Sequence, residues 1–251
     1  MSTTSTSDPA GTPGSDVELT ADRPVVHRGL GLGWPVFAAL QEPALRQRED
    51  RPVEVEDAEG RTVTARLSEV LDELSAPDPR GLYLRHQLVS EFDPGLWALV
   101  PRGVRRHNWL SALPEDVRPD WAWVMIGAAG TRSPMHVDVA ASAAWNLLCA
   151  GRKRWAFHPR RRAEEWHLLP AGCAGDDRGA EPVELVQEPG DVVVTPSGWA
   201  HEVVNLTGTV SITANFVNGG NLDFALRYFD LVGDEASRDL LTAVGASFGH
   251  R

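Results

Sequence analysis

From Trp121 onward the chain is a succession of short strand-forming runs. WAWVMIG (121–127) and SPMHVDV (133–139) come first. AAWNLLC, RKRWAFH, PVELVQE, DVVVTP, HEVVN and TVSITANFV follow, separated by Gly, Pro and short polar stretches. Such spacing specifies a sandwich or closed barrel rather than parallel βαβ units. A small double-sheet jelly roll fits it. The fold class expected is therefore mainly β, with flanking N- and C-terminal helices. Two hairpins are expected inside it, one turning at Ala150-Gly151 and one at Leu206-Thr207-Gly208.

The rest of the chain divides around this core. Residues 1–20, rich in Ser, Thr, Pro and Gly, read as a disordered tail without signal-peptide character. Residues 21–120 read as a helical and mixed extension packing on the barrel. VTARLSEVLDELS (63–75) has a helical apolar period, and GLYLRHQLV (81–89) reads as a strand. Residues 121–220 form the barrel and 221–251 the C-terminal helices, broken at Gly233. Those helices carry more apolar residues than one stripe needs. They pack either on the barrel's own outside or against a second copy of the chain. Within the charged, Gly-rich stretch 159–182, residues 160–182 are expected to be a mobile lid over the barrel mouth.

Composition narrows the function. The 251 residues carry a net charge of −11, which argues against a nucleic-acid partner, because phosphate contacts need a basic surface. Two cysteines without a CxxC spacing indicate no disulfide framework, so the cytoplasm is the expected compartment. No apolar run is long enough for a membrane span.

The chemistry concentrates at a few positions. On a strand, His136 and Asp138 share a face, two residues apart. With His201 in GWAHEVVN they make two His and one Asp, the ligand set of a non-haem Fe(II) site with open positions. The 206–208 turn is expected to set His201 opposite Thr213, with Ser211 and Asn215 on the same face. Inward polar residues in a small barrel are costly unless paired, so this face reads as a site. The 150–151 turn similarly joins Asn146 and Leu148 with Lys153. Lys153 is the chain's one lysine against twenty-three arginines. A compact ammonium near such a site suits a carboxylate-bearing cosubstrate.

With these motifs in place, Tyr83 to Phe216 resembles the JmjC or cupin-like family of Fe(II)/2-oxoglutarate oxygenases, including the Jumonji-domain hydroxylases. The resemblance implies a double-stranded β-helix. It also implies iron at His136, Asp138 and His201, with 2-oxoglutarate as cosubstrate and O2 as oxidant. SPMHVD matches a pattern whose hydroxyl, here Ser133, touches the tail carboxylate, and Lys153 in GRKRW matches the lysine that pairs with it. Tyr83 in LYL, Asn146 in AWN, Thr213 in SIT and Asn215 in ANF match further cosubstrate positions. Arg85 stands where relatives contact substrate, but its residue type departs from theirs. Hydroxylation of a peptide or protein side chain is the expected reaction. The alternatives are a free amino acid or natural-product substrate, or a metal- and acid-binding sensor without turnover.

Overall fold

The computed structural model describes residue 19 and residues 21–175 and 179–250. Their strands are β1 (Val25–His27), β2 (Pro52–Glu56), β3 (Thr62–Arg66), β4 (Tyr83–Leu88), β5 (Ala122–Gly127) and β6 (Arg132–His136). β7 (Ala143–Ala150), β8 (Lys153–His158), β9 (Val183–Gln187), β10 (Val192–Thr195), β11 (Ala200–Asn205) and β12 (Thr209–Phe216) follow. They build two antiparallel sheets. The large sheet runs β1-β10-β7-β12-β5-β4-β2-β3 and the small one β6-β11-β8-β9. This is the mainly β, jelly-roll architecture expected, with helices at both ends. The extension before residue 121 adds β1 to β4 to the large sheet. Of the expected tail, only Leu19 lies within the described residues, and it is buried in the core.

Strand alternation assigns the two faces of the large sheet. Trp145, Leu147 and Cys149 of β7, with Val210, Ile212, Ala214 and Phe216 of β12, join Trp34, Val36, Leu40 and Leu96 in one apolar cluster. Burying such side chains contributes about 1.5–3 kcal/mol each. The opposite face carries Ala144, Asn146 and Leu148 of β7 and Ser211, Thr213 and Asn215 of β12. There Asn146 pairs with Thr213 and Leu148 with Ser211. This polar face looks toward the small sheet.

Both expected hairpins are corrected. β7 pairs with β10 and β12, while β8 pairs with β9 and β11. The Ala150-Gly151 turn therefore carries the chain from one sheet to the other, and the 206–208 turn does the same between β11 and β12. The two turns bond to each other. Leu206 N donates to Arg152 O at 2.8 Å, and Arg152 N donates to Thr207 Oγ1 at 3.0 Å. A third correction concerns 63–75, where only Leu67–Asp72 is helical. Residues 62–66 form β3, with Val63 and Ala65 opposite Val55 and Val53 of β2.

The C-terminal helices span Leu222–Val232 and Glu235–Ser247, with Gly233 in the left-handed region at φ 74° between them. Phe224, Leu241 and Val244 are buried within the chain itself, whereas Leu231, Val232 and Leu240 are exposed. Among the described residues no helix is long and apolar enough to cross a membrane.

Gly151 is the tightest point of the paired turns. Its φ is +78°, and a Cβ there would stand 2.0 Å from the Gly208 carbonyl oxygen. Gly151→Ala combines left-handed strain with a backbone clash and should cost roughly 2 kcal/mol or more in urea unfolding. A loss within a few tenths of a kcal/mol would contradict this account of the turn.

Candidate active site

A cavity of about 420 Å³ lies between the sheets, and all nine sequence-predicted site residues line it. His136 ends β6 and His201 sits near the start of β11, where the two are direct strand partners. Their rings stand 4.2 Å apart between centroids. Each Nδ1 lies against a carbonyl two residues back, Pro134 O at 2.8 Å for His136 and Trp199 O at 3.2 Å for His201. A carbonyl only accepts, so each Nδ1 carries the proton and each Nε2 keeps its lone pair for a ligand. Burial lowers His201 to about 4, against the smaller opposing pull of Asp138, so its ring is neutral at physiological pH.

Asp138 reaches the site differently from the expected strand alternation. β6 ends at His136, and Asp138 follows in extended backbone at φ −59° and ψ 157°. Ala140 and Ala141 then adopt left-handed conformations with φ 52° and 50°. Each costs roughly 1–2 kcal/mol for a residue with a Cβ. The turn is held by Ala141 N donating to Asp138 O at 2.9 Å and by Ser142 Oγ donating to Val139 O at 2.7 Å. Asn215 Nδ2 in turn donates to Ser142 Oγ at 2.9 Å. Asn215 thus supports the carboxylate's turn from the cavity wall.

One ligand atom from each of His136, Asp138 and His201 lies within 4.8 Å of the others. Asp138 Oδ2 is buried and has no hydrogen-bond partner among the described residues. A buried, unpartnered carboxylate oxygen is expensive unless something cationic completes it. Two imidazole lone pairs beside it fit a divalent iron held on one face, with the remaining positions open.

The opposite end of the cavity carries a buried lysine and a tyrosine hydroxyl. Lys153 is 1% exposed, and its Nζ donates to Ser211 Oγ at 2.8 Å. Tyr83 Oη and Ser133 Oγ are 3.5 Å apart. Burial raises the Tyr83 hydroxyl's pKa, so it remains a neutral donor. Asn146 Oδ1 accepts from Gln187 Nε2 at 3.3 Å, and Thr213 Oγ1 donates to Trp145 O at 2.8 Å.

Gln187 escaped the sequence reading. It is fully buried and also accepts from Trp155 Nε1 at 2.9 Å, which ties the small sheet to β7 beneath the site. A single Gln before Pro-Gly carries no local signal of that role. The lid expectation is overturned. Ala163, Leu169 and Cys173 are buried against Ala141, Ala200 and Phe224, and no described residue of 159–182 lines the cavity. Arg160–Glu165 forms a helix on this flank. Residues 176–178 lie outside the described residues.

Comparison with known proteins agrees with this geometry. The family model described as "JmjC domain, hydroxylase" matches residues 175–216. The chain is 36% identical over 131 residues to the mouse (Mus musculus) 2-oxoglutarate and iron-dependent oxygenase JMJD4, covering 46% of this chain and 31% of that protein. It is 27% identical over 233 residues to lysine-specific demethylase JMJ21 of Arabidopsis thaliana, covering 82% and 24%. It is 30% identical over 126 residues to the bifunctional arginine demethylase and lysyl-hydroxylase psr-1 of Caenorhabditis briggsae, covering 42% and 32%. These likenesses support the JmjC Fe(II)/2-oxoglutarate oxygenase family for this chain. It spans about a quarter to a third of the length of these three relatives. Fe(II), 2-oxoglutarate and O2 are the cofactor and cosubstrates that the JmjC assignment brings, and both ends of the cavity fit them.

Two outcomes follow from the site's electrostatics. Asp138→Ala removes an unpartnered buried oxygen, so the metal-free protein should melt at or above the wild-type temperature while losing its stabilisation by Fe(II). A lower melting point without metal would contradict the orphaned state of Oδ2.

The second outcome concerns Lys153, which burial lowers from the ordinary 10.5 to about 7. Between those values the folded chain binds fewer protons than the unfolded one. This contribution to ligand-free stability is therefore present above the unfolded value and lost as pH falls toward 7. A dicarboxylate needs the ammonium form. Above pH 7, binding takes up a proton, and half-saturation by 2-oxoglutarate should rise by up to about tenfold per pH unit. Lys153→Arg, with permanent charge but a bulkier fork, should bind more weakly and with a flat pH profile. A flat wild-type profile from pH 7 to 9 would contradict the assignment.

Proposed function

We propose that this chain is an Fe(II)/2-oxoglutarate-dependent dioxygenase that hydroxylates a side chain of a peptide or protein. The observation that carries the reading is the pairing of two ends in one cavity. Two Nε2 lone pairs and an unpartnered carboxylate face one point, and a buried ammonium with a tyrosine hydroxyl waits at the other.

Bound there, Fe(II) with 2-oxoglutarate and O2 supplies oxidation of a substrate C–H bond, coupled to loss of carbon dioxide from the oxo acid. The chain's own residues do the positioning. Lys153 and Tyr83 hold the far carboxylate of the cosubstrate, and Ser133 and Ser211 orient those two groups. Asn146 offers its amide to the cosubstrate's flank, fixed from behind by Gln187. His136, Asp138 and His201 would hold the metal through two imidazole nitrogens and a carboxylate oxygen. Trp155 and Phe157, stacked 5.4 Å apart beside His201, exclude water from this wall. Fixing the reacting C–H against a positioned oxidant is the protein's main contribution to rate.

The names of the relatives favour a second outcome of the same chemistry, oxidation of an N-methyl carbon with release of formaldehyde. A free amino acid or natural product would use the same residues with a smaller substrate. The test is aerobic incubation with Fe(II), 2-oxoglutarate and candidate peptides, methylated peptides and metabolites, read by mass spectrometry and a formaldehyde assay. Gain of one oxygen on an unmethylated peptide, absent for His136→Ala and His201→Ala, is expected. Formaldehyde alone would replace hydroxylation by demethylation. Oxidation confined to metabolites would replace the peptide by a small molecule. Absence of 2-oxoglutarate turnover with every substrate would leave a binding protein and defeat the enzyme reading.

A further inference from the structure

The register of β4 against β5 slips between Leu84 and Gln87. Neighbouring strand residues ordinarily point to opposite faces, yet Arg85 and His86 both line the active cavity. The slip re-aims them, as bulges beside functional sites do. Glu56, at the end of β2, gathers both: it accepts from Arg85 Nη2 and lies 3.3 Å from His86 Nε2. Arg85 Nε remains buried without a partner among the described residues. A buried N–H without an acceptor is uncommon in a folded protein, and a ligand oxygen is one way to complete it.

A second cavity, of about 620 Å³, adjoins this point. The β2–β3 turn, residues 79–81 and residues 129–134 enclose it, and it shares Tyr83, Arg85 and Pro134 with the active cavity. Its charges nearly cancel. Asp57 and Glu59 pair with Arg61, Arg80 pairs with Glu69 and Glu73, and Arg85 pairs with Glu56. Arg132 is exposed and pairs with no acidic group among the described residues. In the lining Glu56, Asp57 and Glu59 balance Arg80, Arg85 and Arg132, so the groove is near neutral overall and its locally uncompensated positive charge is Arg132, in a chain whose net charge is −11.

We propose that the second cavity receives the part of a polypeptide substrate next to the oxidised residue, and that Arg85 and Arg132 select an acidic side chain there. This rests on the peptide-oxygenase reading and adds the substrate's local charge. Glu56 holds the Arg85 guanidinium in place and competes with the incoming carboxylate. Salt-screened contacts of this kind govern partner choice more than raw affinity.

The probe is a pair of end-blocked peptide libraries with a randomised centre, one flanked by Asp or Glu and the other by Asn or Gln. Retention on the immobilised full chain, loaded with Fe(II) and 2-oxoglutarate without oxygen, is read by mass spectrometry. The acidic library should be retained about fivefold better or more, as one partly exposed ion pair allows. Arg132→Ala and Arg85→Lys should bring the ratio toward unity, and Glu56→Gln should raise it. Thermal melting of each variant checks that it is folded. Equal retention of the two libraries, retention of neither, or a wild-type ratio in both folded arginine variants would overturn the inference. Admitting oxygen separates the two readings: retained acidic peptides that gain no oxygen count against the enzyme reading and leave the groove's selectivity standing.

Discussion

Strand β11 holds the site together, because it pairs with β6 on one side and β8 on the other. Its register sets His201 against His136 and, across the other ladder, against Phe157. Asn205, at the far end of β11, stands against Lys153. Four residues of β8 separate Phe157 from Lys153, roughly 13 Å at the usual rise per residue. A one-residue slip of β11 would turn His201 out of the cavity and shift the spacing to Lys153. The inter-turn bonds at 151–152 and 206–207 lock that register at the lysine end.

The metal end is secured differently. Asp138 is beyond the ladder, so no register places it. Two left-handed alanines do, supported by Ser142 and Asn215 and by packing of Ala141 against Ala200 and Phe224. The helix Leu222–Val232 and the flank 159–175 thus act on the carboxylate from behind, without touching the cavity. Strain at such a turn persists only where its surroundings over-determine it, and the buried Ala163, Leu169 and Cys173 provide those surroundings.

Much of this was legible in residue order. Inward and outward faces follow from period-two alternation alone, so Asn146, Thr213, Asn215 and His201 were placed toward the cavity correctly. What alternation cannot encode is which strand lies beside which. Turns such as Ala150-Gly151 and Leu206-Thr207-Gly208 suit a hairpin locally, and the sheet change depends on distant partners, β10 for β7 and β6 for β11. The polar residues converge across the gap between sheets, where a hairpin would have set them side by side. Gln187 and the β4 slip were invisible for the same reason, since both are defined by neighbours far away in sequence. The lid reading failed because small buried residues, Ala163 and Cys173, anchor a stretch that is rich in charge and glycine.

The lone lysine gains its meaning from that geometry. An arginine is pinned in its charged state, whereas an enclosed ammonium yields its proton near neutrality, so the empty pocket can be neutral and the filled one charged. Among the described residues Ser211 is its one hydrogen-bond partner, which leaves two ammonium donors unused. Arginine serves at positions such as Arg85 and Arg132, where the guanidinium stays partly wet; the Arg85 fork is already paired with Glu56. The difference in burial between Lys153 and these rim arginines therefore separates two tasks that both require positive charge. In the roles proposed for them, one is holding a cosubstrate in a closed end, and the other is sorting substrates at an open one.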